Sequence, residues 1–196
     1  MNNKIEISTK EKILDVALET IQKCGFSEMT LQNIAEQVGI KKPSILYHFP
    51  SKNAIGVAVV KRYHEYFKNA MKQAMADNTK TPWEVLDLYF TPFRQYSKQA
   101  DRVCLCGVLA SEYESLPEEI KNIVNEFFQW HHEWIETLLE HGQKEKVFSF
   151  LHSKKDLAAM FFSALQGGLL SARVSNNPGE IENIINAIQN TLKSDH

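Results

Sequence analysis

Three groups of residues have types and spacings that allow chemistry. Arg102-Val103-Cys104-Leu105-Cys106-Gly107 sets two thiols two positions apart at the start of an apolar run. A thiol near a helix N-terminus and beside a guanidinium has its thiolate favoured, which is what reactivity requires. Residues two apart on a helix point about 200° apart, so Cys104 and Cys106 do not share one pocket wall or one metal ion. Cys104 is the candidate reactive thiol, against the plainer reading of both as small buried hydrophobes. His131-His132-Glu133 brings imidazoles and a carboxylate together, but it lacks the second histidine four residues beyond the first that a zinc-protease helix needs. Adjacent histidines face different directions and do not clamp one ion. There is no glycine-rich phosphate loop and no Gly-x-Ser-x-Gly elbow. No catalytic residue, metal or cofactor is assigned, and an enzyme is the poorest reading. The third group, from Thr30 to Lys52, is rich in hydroxyls and lysines, the groups that hold a protein in register on nucleic-acid phosphates.

The elements that position these groups are helices throughout, since apolar residues recur at spacings of three and four and no strand-like alternation is present. Ser8 with Glu11 makes a capping box ahead of the stripe Ile13, Leu14, Ala17, Ile21, which ends at Gly25. Thr30 caps Leu31 to Val38, closed by Gly39, and Lys42 to Phe49 forms a third short helix stopped by Pro50. Ser51 caps a long helix with the stripe Ile55, Val59, Tyr63, Phe67, running towards Met75 as a connector. Five further helices are predicted: Pro82 to about Lys98, Arg102–Tyr113, a third launched by a Ser115–Glu118 capping box and lasting to His141 before Gly142, Ser153 to Arg173, and one from Asn177 onward. The fold class is therefore all-α with about nine helices. Residues 1–52 are expected to form an N-terminal head, a helix over about 52–76 to connect, and residues 53–196 to form a larger helical body.

Composition narrows the function classes. The net charge is −2, but residues 1–62 carry nine Lys and Arg against six Asp and Glu, whereas the remainder is acidic. A mildly basic head on an acidic body suits a DNA reader with a separate regulatory domain. Three cysteines, at positions 24, 104 and 106, do not make a disulfide framework and fit a reducing compartment. The first residues carry no signal-peptide pattern. The longest apolar stretch, Leu157 to Ala172, is broken by Gln166, Gly167 and Gly168 and is shorter than a membrane span. A soluble cytoplasmic protein is expected.

Two short helices around a tight glycine turn, completed by a first helix, form the helix-turn-helix that places its second helix in the major groove. The block Thr30–Ile40 followed by Lys42-Pro43-Ser44-Ile45-Leu46-Tyr47-His48-Phe49-Pro50-Ser51-Lys52 resembles the N-terminal signature of TetR-family regulators, closely over residues 9–62. The resemblance implies that Thr30 contacts a phosphate and that Lys42, Pro43 and Ser44 face base edges or adjacent backbone. It further implies that Tyr47 and His48 touch the DNA backbone, that Lys52 neutralises a phosphate, and that Phe49 is core. Many family members have an aromatic pair before the histidine; here Leu46 precedes Tyr47, and Leu46 is not counted among the contacts. The plainer readings are that His48 answers a helix dipole and Lys52 is merely solvated.

The aromatic-rich body offers apolar walls with a few polar groups, which a small-molecule sensor needs. Phe90, Phe93, Tyr113, Phe127, Trp130, His131 and Trp134 are the candidate lining, for a small hydrophobic or aromatic effector. TetR-like proteins pair through two C-terminal helices, and Ser163, Ala164, Gly167, Gly168 and Ser171 would allow close approach there. The resemblance thus implies a homodimeric repressor released from a palindromic double-stranded DNA operator by its effector. Cys104 also matches a cysteine in a TetR subgroup that includes repressors sensing reactive electrophiles, which makes thiol sensing the alternative switch. A DNA-organising protein without an effector is the alternative class.

Overall fold

The computed structural model describes residues 8–99 and 102–193; residues 1–7, where no leader is expected, lie outside them. Among the described residues there are nine α-helices and one 3-10 turn, with a single isolated bridge between Ser149 and Lys193 in place of any strand. Helix α1 (Thr9–Cys24) begins where Ser8 Oγ accepts from the Glu11 amide at 3.2 Å, and it buries the predicted stripe Ile13, Leu14, Ala17, Ile21. Glu11 does not complete the capping box. Its carboxylate instead pairs with Arg62 at 2.5 Å, and Arg62 also holds Asp15 at 2.7 Å.

Helix α2 (Leu31–Val38) is capped by Thr30 Oγ1, 3.1 Å from the Asn33 amide, and ends at Gly39 in the left-handed region at φ 77°. Helix α3 (Lys42–His48) follows directly, and Ile34, Ile45 and Phe49 close a three-helix core over α1. Helix α4 (Lys52–Ala76) starts from Ser51, whose Oγ accepts from the Ala54 amide. Its 25 residues span about 37 Å. Near its start it buries Ile55, Val59 and Val60, and farther along Met71 and Ala74, so a single rigid element runs from the head into the body.

In the body, α5 (Pro82–Gln99) opens with a reciprocal box: Glu84 Oε2 accepts from the Thr81 amide at 2.8 Å, and Thr81 Oγ1 accepts from the Glu84 amide at 3.3 Å. Helix α6 is shorter than expected. It covers Leu105–Ser111, and Tyr113–Ser115 form the 3-10 turn. Helix α7 (Glu118–Lys144) has Pro117 at its N-cap and no side-chain cap, because Ser115 Oγ donates back to the Glu112 carbonyl at 2.8 Å to close that turn. Gly142 does not stop α7. The helix runs on to Lys144, and the Phe148 ring lies where a β-carbon of residue 142 would be, so only glycine fits there.

Helices α8 (Lys154–Ser175) and α9 (Gly179–Thr191) complete the body. Helix α8 is longer than its apolar run, with a mean hydropathy of 1.3 over its most apolar window. It is nevertheless a core helix: Leu157, Phe161, Phe162, Leu165 and Leu169 are buried in the common hydrophobic core.

Candidate nucleic-acid interface and interior cavity

Helix α3 presents one face outward. Lys42, Pro43, Leu46 and Tyr47 are all exposed, Tyr47 at 86% and Leu46 at 41%, and at helical spacing they span about 140° of the circumference. Ile45 is fully buried on the other side, with Ser44 half-buried. The first turn of α3 has no side-chain cap; Pro43 has no N–H, and the Ser44 amide donates to the Lys41 carbonyl at 2.8 Å. Tyr47 and His48 meet edge to face at 5.2 Å between ring centroids. Thr30 is exposed at the head of α2, its hydroxyl oxygen already accepting from Asn33.

Lys52 differs from the other lysines. Its ammonium donates to the Ser27 carbonyl at 3.0 Å and lies 4.6 Å from the centre of the Phe26 ring. It ties the start of α4 to the α1–α2 connection. Leu46 sits among the exposed α3 residues although the sequence reading set it aside. The signal was its position, four after Lys42 and three after Pro43.

The candidate pocket residues do not converge. Phe93, Phe127 and His131 line one small interior cavity, together with Tyr63 and Phe67 of α4, Pro92 and Tyr96 of α5, and Cys104. Trp130 and Trp134 line a separate outer groove of about 460 Å³ with Met75, Glu133 and Thr137, and Trp134 stacks on Tyr89 at 4.9 Å. Phe90 is fully buried, with the Arg94 guanidinium 5.9 Å from its ring. Tyr113 stands apart, 37% exposed in the 3-10 turn beside the Lys121 ammonium. The interior cavity measures about 10 Å³, roughly the room of one water.

Its polar groups are few and deeply buried. Tyr63 and Tyr96 hydroxyls are 3.1 Å apart, and Tyr63 also donates towards Cys104 Sγ at 3.7 Å. Burial raises the pKa of both phenols, and the neighbouring Cys104 adds to the shift. Cys104 is only 3% exposed at the N-cap of α6, while Arg102, expected beside it, pairs with Glu19 at 3.4 Å. Burial pushes the Cys106 thiol up, and Cys24 is exposed. His131 Nδ1 lies 2.8 Å from the Tyr89 hydroxyl, and Nε2 is buried without a hydrogen-bond partner. Burial, reinforced by His64 and His132 nearby, lowers the His131 pKa well below its ordinary value, so the ring is neutral.

Comparison with known proteins bears on both parts. The sequence model of the bacterial regulatory proteins of the tetR family matches residues 13–59, and that of the tetracyclin repressor-like C-terminal domain matches residues 83–188. The chain belongs to the TetR family. It is a DNA-binding transcriptional regulator, and its relatives are regulators rather than enzymes. The TetR transcriptional regulator from Legionella pneumophila has a TM-score of 0.86 at 32% identity, covering 96% of this chain and 100% of that one. The HTH-type transcriptional repressor NemR of Escherichia coli is 21% identical over 98% of both chains. IcaR of Staphylococcus aureus, a negative transcriptional regulator of the biofilm operon icaADBC, is 27% identical over 88% of this chain and 89% of its own.

In this TetR-family regulator several polar contacts join the reader to the body. Gln22 of α1 donates to the Val103 carbonyl at 3.1 Å, and Glu112 accepts from the Ser27 amide and hydroxyl, each at 3.0 Å. Arg173 of α8 donates to the Lys23 carbonyl at 2.7 Å. None was legible in the sequence, because each links residues 80 to 150 positions apart. Tyr63 and Tyr96 were missed as cavity residues as well, although Tyr63 lies on the α4 stripe and Tyr96 three residues after Phe93.

Proposed function

We propose that the protein is a homodimeric repressor that reads a palindromic operator through α3 and is released when a small apolar or aromatic effector enters the body. The exposed face Lys42-Pro43-Leu46-Tyr47 carries this reading, since a cation, a ring and a hydroxyl on one short helix suit a major groove and its phosphates. Thr30, Ser44 and His48 flank that face. Lys52 acts chiefly by fixing α4 against Ser27. Residues 1–52 form the reader, α4 is the connector, and residues 53–196 form the body.

Pairing is supported by a stripe on α8: Met160, Ser163, Gly167, Leu170, Ser171 and Val174 are exposed, Val174 at 89%. They span about 100° of the helix. Gly168 differs from Gly167: a β-carbon at 168 would meet Ile184 and Ile181 of α9, whereas Gly167 has open space. Apolar groups aligned and uncovered in this way suit a second copy related by a two-fold axis, which would present two readers to two half-sites. An effector spreading α4 from α5 and α7 would change the separation of those readers and favour a spacing that no longer fits the operator.

Selection of bound duplexes from a random pool tests the proposal. Enrichment of a palindrome is expected; binding without sequence preference, weakening only with salt, would replace the repressor with a DNA-organising protein. A second switch is favoured by one observation, that Cys104 Sγ shares the cavity wall with the Tyr63 hydroxyl. Alkylation of Cys104 by a small electrophile should then release operator DNA, as read by mass spectrometry and gel shift on one sample. Unchanged DNA binding by the modified protein would dismiss it.

A further inference from the structure

The interior cavity carries an unpaired group whose chemistry can be worked out. Tyr89 and His131 are hydrogen-bond partners through Tyr89 Oη and His131 Nδ1. If the imidazole donated, the buried Tyr89 hydrogen and the Nε2 lone pair would both lack partners. If the hydroxyl donates, one group is left over, the Nε2–H. The second arrangement leaves fewer buried polar groups unsatisfied and is favoured. His131 is 1% exposed and lines the cavity, and its Nε2 has no partner. A buried donor with no partner therefore sits on a residue that lines the cavity.

The other walls are Phe67, Phe93 and Phe127, Pro92 on the α5 side, and the Tyr63 and Tyr96 hydroxyls with the Cys104 thiol, whose polar atoms already bond one another. Among the described residues no lysine or arginine lines the cavity, so a carboxylate would enter unpaired, at far greater cost than a neutral acceptor. The cavity of about 10 Å³ must widen to take a ring, and α5 is the wall built to yield. Pro92, inside that helix, has no N–H, so the backbone bond that would reach the Leu88 carbonyl is missing.

We propose that the effector is a neutral aromatic carbonyl compound whose oxygen accepts from His131 Nε2–H while its ring enters between Phe93 and Phe127. The proposal rests on the ligand-released repressor reading and gives that effector a chemical class. Tyr89 is a positioning residue, which fixes the tautomer through Nδ1.

Acetophenone, ethylbenzene and benzoate share a ring and a similar size but differ in the acceptor and in charge. Titrated into the full-length protein and followed by tryptophan fluorescence, acetophenone is expected to bind at least about tenfold tighter than ethylbenzene, and benzoate not to bind. In His131→Phe, which keeps a ring against Phe162 and Phe127, the preference should shrink to within about twofold. Equal binding of the first two compounds, no binding of acetophenone, or an unchanged preference in the variant would each overturn the proposal. Nitrogen-15 histidine spectra of the unmodified chain add a readout that needs no variant: His131 Nε2 should carry the proton and its resonance should move with acetophenone, whereas an unprotonated Nε2 overturns the assignment. Acetophenone that binds as expected yet leaves operator binding intact supports this site and removes the release step from the repressor reading.

Discussion

The reader and the body solve opposite physical problems. The reader turns Lys42, Pro43, Leu46 and Tyr47 outward and hides Ile34, Ile45 and Phe49 beneath them, so what it does lies on its surface. The body turns its chemistry inward: Tyr89, Phe127, His131 and Phe162 are almost wholly buried and pack ring against ring, and Phe127 and His131 also line a cavity no larger than a water. Surface groups can be exchanged with little effect on folding, whereas each interior ring is held by its neighbours. Recognition and stability are therefore separable in the reader and joined in the body.

The largest expected effect breaks the body. Phe127 touches Tyr63, His64, His131 and Phe162, and Phe127→Ala should cost about 3–5 kcal/mol in urea unfolding. A loss below about 1 kcal/mol would mean the ring cluster collapses without penalty. Protonation strains the same cluster. His131 has a folded pKa depressed below its unfolded value, so below about pH 6.5 the unfolded chain binds the proton more readily. Its stabilising contribution is present above that pH and is lost as pH falls towards the lower folded value, at up to about 1.4 kcal/mol per unit. His64 shifts in the same direction through burial. Chemical denaturation from pH 7 to pH 5 should show the slope, and His131→Phe should reduce it, leaving the part that His64 contributes.

In the reader, Tyr47→Ala should weaken operator binding by at least about tenfold, near 1.4 kcal/mol, while the midpoint of unfolding stays within about 0.5 kcal/mol. A comparable loss of stability would erase the contrast between the two regions. Gly39→Ala meets no neighbour but must hold φ 77°, and about 1 kcal/mol is expected from backbone strain alone. The smallest change sharpens the picture of the charged contacts. Lys42→Ala should lower the dependence of log affinity on log salt by about one, whereas Lys52→Ala, whose ammonium is already bound to Ser27, should change it less and act more on stability.

Agreement between sequence and structure follows the range of the interaction that decides each feature. The caps at Ser8, Thr30 and Ser51 and the left-handed turn at Gly39 depend on groups within four residues, and the structure has all of them. The Ser115 cap failed for the same local reason, since the hydroxyl found a nearer partner in Glu112. Pocket membership was not legible. Periodicity places a ring on the inner face of its helix but does not say which other helix it meets, so Trp130 and Trp134 turned to the outer groove and Tyr113 to the 3-10 turn.

The amino-acid order alone determined the nine helices among the described residues, most of their starts and a short third helix with Lys42 and Tyr47 facing outward, because backbone hydrogen bonds and side-chain periodicity act over one or two turns. Only the tertiary structure decided that Glu11 leaves its cap for Arg62, that Lys52 is bound to Ser27, and that His131 keeps one nitrogen paired to Tyr89 and the other without a partner. Those outcomes turn on distances between atoms dozens of residues apart, which the packing of the helices sets.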